Sequence, residues 1–248
     1  MSVLEELVAA AKERARDLPR GEPASFARAI PFDQALRGKA GLSVIAEFKK
    51  ASPTEGRICE RDAVHQVKRY ARAGAAAVSV LTEPTLFRGS YEDLKRAAAT
   101  LEIPVLMKDF IVDPAQIRLA ASLGAGAYLL IVRCLDSREL EELAAAGEEY
   151  GLVPLVECHH QKELSRALRI EQAVIGINNR NLDTLEVDRG LAPRLLREIP
   201  ADRIVVAESG YDRPEDVEEL RGIADAVLIG TALMRQADPR AFIEEITR

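Results

Sequence analysis

The sequence of 248 residues lacks several features that would place it in a specialised class of protein. It has only three cysteines, Cys59, Cys134 and Cys158, and none of them are in Cys-x-x-Cys spacing. This excludes a disulfide framework and a thiol redox motif, and favours reduced thiols in a cytoplasmic protein. There is no signal-like or membrane-spanning apolar run. A formal net charge of −6 argues against a general nucleic-acid surface. We therefore expect a soluble cytoplasmic protein that binds neither nucleic acid nor membrane.

From Val44 onward, the sequence alternates between short apolar runs and amphipathic segments. Apolar runs of this length are typical of parallel strands that are buried on both faces. Eight such runs, each followed by a helical segment, predict an α/β protein with a (βα)8 TIM-barrel fold. The alternative is a doubly wound open sheet. A Rossmann nucleotide fold is disfavoured because no Gly-x-Gly-x-x-Gly follows the first run. The runs are 44–49, 77–82, 103–108, 127–132, 153–158, 174–178, 204–209 and 226–230.

A helical extension precedes this alternation. Ser2 and Glu5 have the spacing of a capping box, and apolar residues at helical spacing follow them. A cluster of Pro and Gly ends this helix, and a second short helical stretch follows it. We predict a single TIM-barrel domain that covers the whole chain. Residues 1–43 would form an extension packed against the barrel, and residues 44–248 would form the eight βα units.

Ionisable and polar residues stand at the ends of nearly all the predicted strands. In a barrel these ends gather at one face, where catalytic groups lie. In the first strand Glu47 and Lys49 point to the same side as Ile45, because side chains two positions apart share a face. We expect lysines and glutamates gathered there to shift one another's pKa values toward neutrality, as acid and base roles require. Taken singly, Glu83 and Arg133 are better explained as solvated loop residues. The strand-end residues are Glu47, Lys49, Thr82, Glu83, Lys108, Arg133, Glu157, Asn178, Arg180, Glu208, Ser209, Gly230 and Thr231.

Small residues follow the last two predicted strands. Ser209-Gly210 and Gly230-Thr231 occupy the positions at which barrels frequently bind phosphate through backbone amides. Glycine lets the backbone approach an oxyanion, and a helix N-terminus favours negative charge. This pattern predicts a phosphorylated small-molecule substrate. The predicted phosphate-binding residues are Ser52, Gly210, Gly230 and Thr231.

The run Glu157-Cys158-His159-His160 has the composition of a metal site but not its geometry. Adjacent strand residues point to opposite faces, so Glu157 and Cys158 cannot bind one ion from the same side. Ligands at zinc-type spacing are also missing. Cys158 is a poor candidate for a nucleophile, because it should face the helices and has no paired base. We therefore expect no metal site.

Seven strings of sequence resemble the indole-3-glycerol phosphate synthases of tryptophan biosynthesis, from about Leu42 to the C-terminus. They are IAEFKKASPTEG, AAVSVLTE, FRGSYEDL, KDFIVDPAQI, GINNRNLDTLEVD, AESGY and DAVLIGTALM. The resemblance implies a (βα)8 barrel with an N-terminal extension over the catalytic face, and no metal or organic cofactor. It also implies a carboxy-lyase, which closes a ring in 1-(2-carboxyphenylamino)-1-deoxyribulose 5-phosphate and removes carbon dioxide and water.

The resemblance implies roles for individual residues as well. Lys108 matches the general acid that protonates the ketone oxygen, and Glu157 matches the general base near the anilino nitrogen. Lys49 matches the lysine that engages the substrate carboxylate, and Glu47 would hold the two lysines in position. The other residues implied to bind or order the substrate are Asn178, Arg180, Glu208 and Ser209, with Phe87, Phe110 and Leu182 as the apolar slot for the anthranilate ring.

Three positions depart from the usual pattern of this family. Met107 stands where an arginine commonly precedes the acid lysine, and Glu55 stands where the first loop often has a lysine. Tyr211 occupies a position where isoleucine commonly follows Ser-Gly. Met107 should face the helices and Glu55 should lie in the loop, so neither change removes a proton-transfer group.

Two other functions remain open on the sequence. A phosphoribosylanthranilate isomerase would use a Cys/Asp pair, whereas the first strand here has Glu47 and Lys49, and Lys108 would have no role. A non-catalytic barrel that retained the pocket is the second alternative. No exposed apolar helix face stands out, so we expect a monomer.

Overall fold

Eight parallel strands close into a barrel in the structure, a computed structural model that describes residues 2–21, 30–37 and 41–248. The strands are β1 (Ser43–Phe48), β4 (Ala77–Leu81), β5 (Val105–Lys108), β6 (Ala127–Ile131), β7 (Val153–Cys158), β8 (Val174–Asn178), β9 (Val205–Glu208) and β10 (Ala226–Ile229). Their order is β1-β10-β9-β8-β7-β6-β5-β4, and β1 pairs with both β10 and β4. The predicted (βα)8 barrel is therefore confirmed, and the open sheet is excluded. Two short strands, β2 (Ala51–Ser52) and β3 (Gly56–Arg57), form a separate antiparallel hairpin after β1.

Helices cover the outside of the barrel. Six of the α-helices that the structure describes begin with a side-chain cap, such as Asp136, whose carboxylate accepts from the amide of Glu139 at 2.8 Å. No helix in the described part of the chain combines the length and apolar character needed to cross a bilayer. The α-helices are α1 (Val3–Arg16), α2 (Phe32–Leu36), α3 (Ala63–Arg72), α4 (Tyr91–Ala98), α5 (Pro114–Ser122), α6 (Ser137–Glu148), α7 (Gln161–Ala167), α8 (Leu191–Leu196), α9 (Thr231–Arg235) and α10 (Arg240–Thr247). Two 3-10 helices cover Val132–Cys134 and Pro214–Leu220.

The alternation of side chains along each strand builds two apolar layers. In β1, Val44 and Ala46 pack in the outer layer against the helices, whereas Ile45 packs in the barrel interior. Met107 lies in the outer layer, as predicted. Glu47 follows Ile45 on the inner face and lines the cavity at the carboxyl end of the barrel. The period of two that buries the core thus also directs the strand-end polar groups inward.

The two N-terminal helices pack against opposite ends of the barrel interior. Leu4, Leu7 and Ala11 of α1 join the inner apolar cluster, and α1 borders the cavity at the carboxyl ends of the strands. The carbonyl oxygen of Ile30, just before α2, lies against Gly126, which precedes β6. Residues 22–29 and 38–40 of the predicted extension lie outside the described residues.

A buried charge network fastens α1 to the barrel. Arg14 donates from Nη2 to Asp109 Oδ1 at 2.6 Å, and its Nη1 lies 3.6 Å from Glu83 Oε1. The side chains of Asp109 and Glu83 are fully buried. The Glu83 carboxylate also accepts the backbone amides of residues 85–87 at 2.8–3.0 Å. The interpretation of Glu83 as a solvated loop residue is therefore wrong, because this carboxylate closes the loop after β4 and anchors α1.

We expect Arg14→Met to destabilise the fold, because it leaves two buried carboxylates without their cation. Losing one partner of a buried ion pair costs on the order of 3 kcal/mol. The matched control is Arg20→Met. It removes an exposed pair with Asp113 at 2.8 Å, and such pairs contribute about 0–1 kcal/mol. The free energy of unfolding in urea measures both effects. Equal losses in the two variants would show that the buried network does not stabilise the docking of α1.

Candidate active site

A cavity of about 140 Å³ lies at the carboxyl ends of the strands, beneath α1. Most of the predicted site residues line it, although they come from seven different strands or the loops after them. Two lie elsewhere, because Glu208 is buried behind Lys108 and Gly210 borders a neighbouring cleft. The predicted residues in the cavity wall are Glu47, Lys49, Ser52, Phe87, Lys108, Phe110, Glu157, Asn178, Arg180, Leu182, Ser209, Gly230 and Thr231.

The ammonium of Lys108 occupies the centre of a buried acidic cluster. Lys108 Nζ lies 2.5 Å from Glu208 Oε2, 3.6 Å from Glu157 Oε2 and 4.0 Å from Glu47 Oε2. These three carboxylate side chains are between 1% and 8% exposed. The second lysine, Lys49, places its Nζ 3.1 Å from Glu47 Oε1. Glu47 therefore lies between the two lysines and contacts both.

Ion pairing sets the pKa values in this cluster. Burial lowers the pKa of Lys108, but the carboxylates of Glu208, Glu157 and Glu47 outweigh burial and raise it. Burial raises the pKa of Glu157, but Lys108 and His159 outweigh burial and lower it. Burial raises the pKa of Glu208, and repulsion from Glu157 raises it further. Attraction to Lys108 lowers this pKa but does not cancel the rise. The expectation that acid and base both shift toward neutrality is wrong for Lys108 and Glu157, because the summed effect of the oppositely charged groups around each of them exceeds the cost of burial.

Two glycines give these side chains their space inside the barrel. A Cβ atom on Gly176 of β8 would lie 2.4 Å from Glu208 Oε1. A Cβ atom on Gly230 would lie 2.3 Å from Glu47 Oε1 and 3.0 Å from Lys49 Nζ. The sequence reasoning singles out Gly230 for phosphate binding and does not identify Gly176. The available signal for Gly176 is its place within an otherwise apolar strand, since such glycines mark close approach of another group.

Apolar side chains form the other wall of the cavity. The predicted ring slot of Phe87, Phe110 and Leu182 is brought together there. Helix α1 adds three apolar residues that are not among the predicted site residues, namely Val3, Leu4 and Leu7. The cavity thus has a charged floor and an apolar side, which together suit an aromatic anion.

The loop after β8 is fixed by hydrogen bonds among its own residues. The backbone amide of Arg180 donates to Asn178 Oδ1 at 2.9 Å, and its guanidinium donates to the carbonyl of Leu185 at 2.9 Å. The Asn178 side chain also favours the ionised form of Glu157 and contributes to the lowered pKa of that carboxylate. These bonds hold Asn178 and Arg180 at the edge of the cavity.

A left-handed turn at Ser209 and Gly210 follows β9. Ser209 has φ 67° and Gly210 has φ 87°, and the first value is unfavourable for a residue with a side chain. Asn179 stabilises the turn by donating from Nδ2 to the Ser209 carbonyl at 3.0 Å and to the Tyr211 hydroxyl at 2.9 Å. The tyrosine that departs from the family pattern therefore accepts a hydrogen bond that isoleucine could not.

A cationic cleft of about 520 Å³ opens beside the cavity, between the loops after β9 and β10. Three of the residues predicted to bind phosphate, Gly210, Gly230 and Thr231, border it, and Gly230 and Thr231 also line the first cavity. Ser52 lines the first cavity instead, and its hydroxyl accepts from the amide of Glu55 at 3.2 Å, closing the turn of the β2–β3 hairpin. The cleft is lined by five basic residues and three acidic ones, so its lining carries a net positive charge, although Arg189 and Arg213 both pair with Asp216. The basic residues are Lys49, Arg180, Arg189, Arg213 and Arg235, and the acidic residues are Glu55, Asp212 and Asp216. Arg235 forms an ion pair with Glu55 and so joins the hairpin to α9.

The residues after β7 are paired with one another. His159 lies between the carboxylates of Glu157 and Glu163, 3.3 Å from each. Cys158 faces the outer layer, as expected. Arg133 places Nε 3.1 Å from Glu163 Oε1, so the interpretation of Arg133 as a solvated loop residue is wrong. The sequence reasoning weighed His159 only as a metal ligand and missed this contact with Glu157.

Comparison with known proteins identifies the family. A family model described as indole-3-glycerol phosphate synthase matches residues 3–246. The chain belongs to the indole-3-glycerol phosphate synthase family. It is therefore an enzyme of the carboxy-lyase class in tryptophan biosynthesis, as the sequence strings implied.

Three relatives, each named indole-3-glycerol phosphate synthase, illustrate the likeness. The protein of Deinococcus radiodurans is 48% identical over 215 residues, which cover 84% of this chain and 80% of the relative. That of Koribacter versatilis is 45% identical over 239 residues, covering 95% and 88%. That of Listeria monocytogenes is 41% identical over 243 residues, covering 97% and 96%.

Two solved structures share the barrel. The 3-hexulose-6-phosphate synthase of Salmonella typhimurium matches with a TM-score of 0.66 and 15% identity, over 83% of this chain and 97% of its own. A monomeric form of the phosphoribosylanthranilate isomerase of Thermotoga maritima matches with a TM-score of 0.58 and 14% identity, over 83% and 96%. At these identities the likeness shows the TIM-barrel fold alone.

We expect Gly176→Ala to fold and to lose about 100-fold in turnover, because the added methyl group would displace the Glu208 carboxylate from Lys108. A displacement of about 1 Å at a catalytic group can have an effect of this size. Gly21→Ala is the matched control, since a Cβ there meets no atom within 4 Å. The rate of indole-3-glycerol phosphate formation and the melting temperature are the measurements. A folded Gly176→Ala enzyme with the parent rate would show that the position of Glu208 is unimportant.

Proposed function

We propose that this cavity converts 1-(2-carboxyphenylamino)-1-deoxyribulose 5-phosphate to indole-3-glycerol phosphate, with Lys108 as general acid and Glu157 as general base. The observation that carries the proposal is the position of the Lys108 ammonium, which lies 3.6 Å from the Glu157 carboxylate on the floor of a cavity with one apolar wall. An acid and a base are thus held side by side where an aromatic substrate can reach both.

The cavity and the neighbouring cationic cleft together offer a place for each of the three parts of this substrate. The anthranilate ring would lie against Phe87, Phe110 and Leu182, which form the apolar wall. Its carboxylate would pair with Lys49, which stands at the border of the cavity and the cationic cleft. The phosphate would lie in the cleft, where backbone amides and basic side chains can hold an oxyanion. We assign phosphate binding to Gly210, Gly230 and Thr231 of the cleft, with Ser52 contributing from the adjoining cavity, which Gly230 and Thr231 also line.

The first step forms a carbon–carbon bond. The ring carbon that bears the carboxylate attacks the ketone carbon, and Lys108 gives its proton to the ketone oxygen. Because an alkoxide is a much stronger base than an amine, this transfer is favourable even from a lysine whose pKa is raised. Positive charge develops on the anilino nitrogen, where the negative charge of Glu157 stabilises it.

The next two steps restore the aromatic system. Carbon dioxide leaves, and the electron pair of the broken bond returns to the ring and neutralises the nitrogen. The new hydroxyl group then leaves as water after taking a proton from Lys49, because Lys108 has already given up its own. Glu157 removes a proton from the ring methylene as the double bond forms. Asn178, Arg180, Glu208 and Ser209 would hold the substrate and the two proton-transfer groups in place.

The rest of our proposal concerns the context of the site. All steps are proton transfers and carbon-bond changes that side chains can carry out, so we propose an enzyme that acts without a cofactor. We also propose a single-domain cytoplasmic monomer that binds neither nucleic acid nor membrane, which agrees with the net charge of −6. A family match over residues 3–246 supports the single domain.

We expect Lys108→Ala to reduce turnover by about 100-fold to 10,000-fold, the usual contribution of a general acid. Lys108→Arg is the companion variant. It keeps a cation among the carboxylates but cannot release its proton, so it should be folded and equally impaired. The measurement is the appearance of indole fluorescence from the carboxyphenylamino substrate.

Lys68→Ala, a change at an exposed lysine of α3, is the control and should keep the parent rate. If Lys108→Ala or Lys108→Arg turned over near the parent rate, Lys108 would not be the acid. A folded parent protein that produced no indole fluorescence would exclude the proposed reaction and favour a non-catalytic barrel.

A further inference from the structure

The imidazole of His159 bridges two buried carboxylates that belong to different elements. Nε2 lies 3.3 Å from Glu157 Oε1 at the end of β7, and Nδ1 lies 3.3 Å from Glu163 Oε2 in α7. The three side chains are only 2–5% exposed. The backbone amide of His159 also donates to Glu163 Oε2 at 2.6 Å. Neither ring nitrogen has a partner with hydrogen-bond geometry, but each lies within ion-pair distance of a carboxylate oxygen, so the positively charged imidazolium is the form that suits this position.

The two oxygens of Glu157 face different groups. Oε1 faces His159, whereas Oε2 faces Lys108 and the cavity. The shortest contact of Lys108 is its 2.5 Å hydrogen bond to Glu208, and its distance to Glu157 is 3.6 Å. The nearer cation to Glu157 is therefore His159, at 3.3 Å. Without His159, Glu157 would share a single lysine with two other carboxylates.

The surroundings favour a charged His159. Burial lowers the pKa of His159, but Glu157 and Glu163 outweigh burial and raise it to about 9, with a small opposing effect of Arg133. Arg133 and the exposed His160 each lie 3.1 Å from the second oxygen of Glu163. They fix Glu163 from the solvent side. The thiol of Cys134, whose pKa burial raises to about 12, adds no charge beside Glu157 near neutrality.

We propose that His159, as an imidazolium held by Glu163, is a positioning residue that orients Glu157 and keeps it ionised, leaving Oε2 as the oxygen that accepts the proton. This inference rests on the proposed function, in which Glu157 is the general base. His159 touches neither the cavity nor the reacting atoms in this arrangement, and it acts only through Glu157.

The sign of the pH effect follows from the charge. Removing a positive charge within about 4–6 Å of a carboxylate raises the carboxylate pKa by about 1–3 units. Loss of the imidazolium should therefore raise the pKa of Glu157, whose protonated form cannot act as a base. As the pH is lowered, the variant would therefore lose activity at a higher pH than the parent enzyme does.

The experiment compares His159→Gln, which keeps a hydrogen-bond donor but loses the charge, with His159→Phe, which loses both. We expect the acid limb of the kcat/KM profile to move up by about 1–3 pH units in both variants. At pH 8.5 we expect kcat to fall by about 10-fold to 100-fold in His159→Phe, with KM within about twofold of the parent, and to recover largely in His159→Gln. The control is Lys162→Gln, which removes a positive charge at an exposed position of α7 and should keep the parent profile.

Two outcomes overturn the inference in distinguishable ways. If His159→Gln has the parent pH profile, even with a lowered melting temperature, His159 is a structural residue only. If Glu157→Gln retains the parent rate, Glu157 is not the base, and both the proposed function of Glu157 and the role of His159 are wrong. If Glu157→Gln is inactive and His159→Gln has the parent pH profile, the assignment of Glu157 as the base stands. Only the proposed role of His159 is then rejected.

Discussion

The site depends on one constraint, which is that three carboxylates are buried around a single ammonium. An unpaired buried carboxylate costs several kcal/mol, and Lys108 cannot satisfy Glu47, Glu157 and Glu208 equally. Additional contacts with other cationic groups balance the excess negative charge of these carboxylates. Lys49 pairs with Glu47 at 3.1 Å, and His159 lies 3.3 Å from Glu157. Glu208 keeps the closest contact with Lys108, and burial still raises its pKa. The roles of these groups follow from how this excess charge is shared.

The barrel makes the cluster possible through simple geometry. Parallel strands direct every second side chain inward, so the last inward position of each strand reaches the same mouth. An apolar interior below and α1 above keep this mouth partly dry, which strengthens each ion pair. Space is the remaining requirement, because carboxylates and lysines from opposite strands must meet. Gly176 and Gly230 provide it, since a Cβ at either position would lie within 2.4 Å of a carboxylate oxygen.

The sequence predicts the fold and the membership of the site because both depend on local periodicity. The runs 153–158 and 174–178 match β7 and β8 without change, whereas β5 begins only at Val105, two residues after the start of its predicted run. Strand alternation likewise places Glu47 inward without any knowledge of its neighbours. The contact between Arg14 and Asp109, the bridge at His159 and the pKa directions were beyond prediction. They depend on distances between residues far apart in the chain and on competition among several ion pairs.

The directions of the pKa shifts are more useful to the proposed chemistry than shifts toward neutrality would be. Lys108 and Glu157 lie 3.6 Å apart. If their pKa values met, the lysine would pass its proton to the glutamate and both groups would lose their roles. A raised pKa in Lys108 and a lowered one in Glu157 prevent this neutralisation. The acid then stays protonated and the base stays free until a substrate alkoxide, a stronger base than either group, draws the proton away. On this argument, close pairing in the cluster preserves the charge separation that turnover requires.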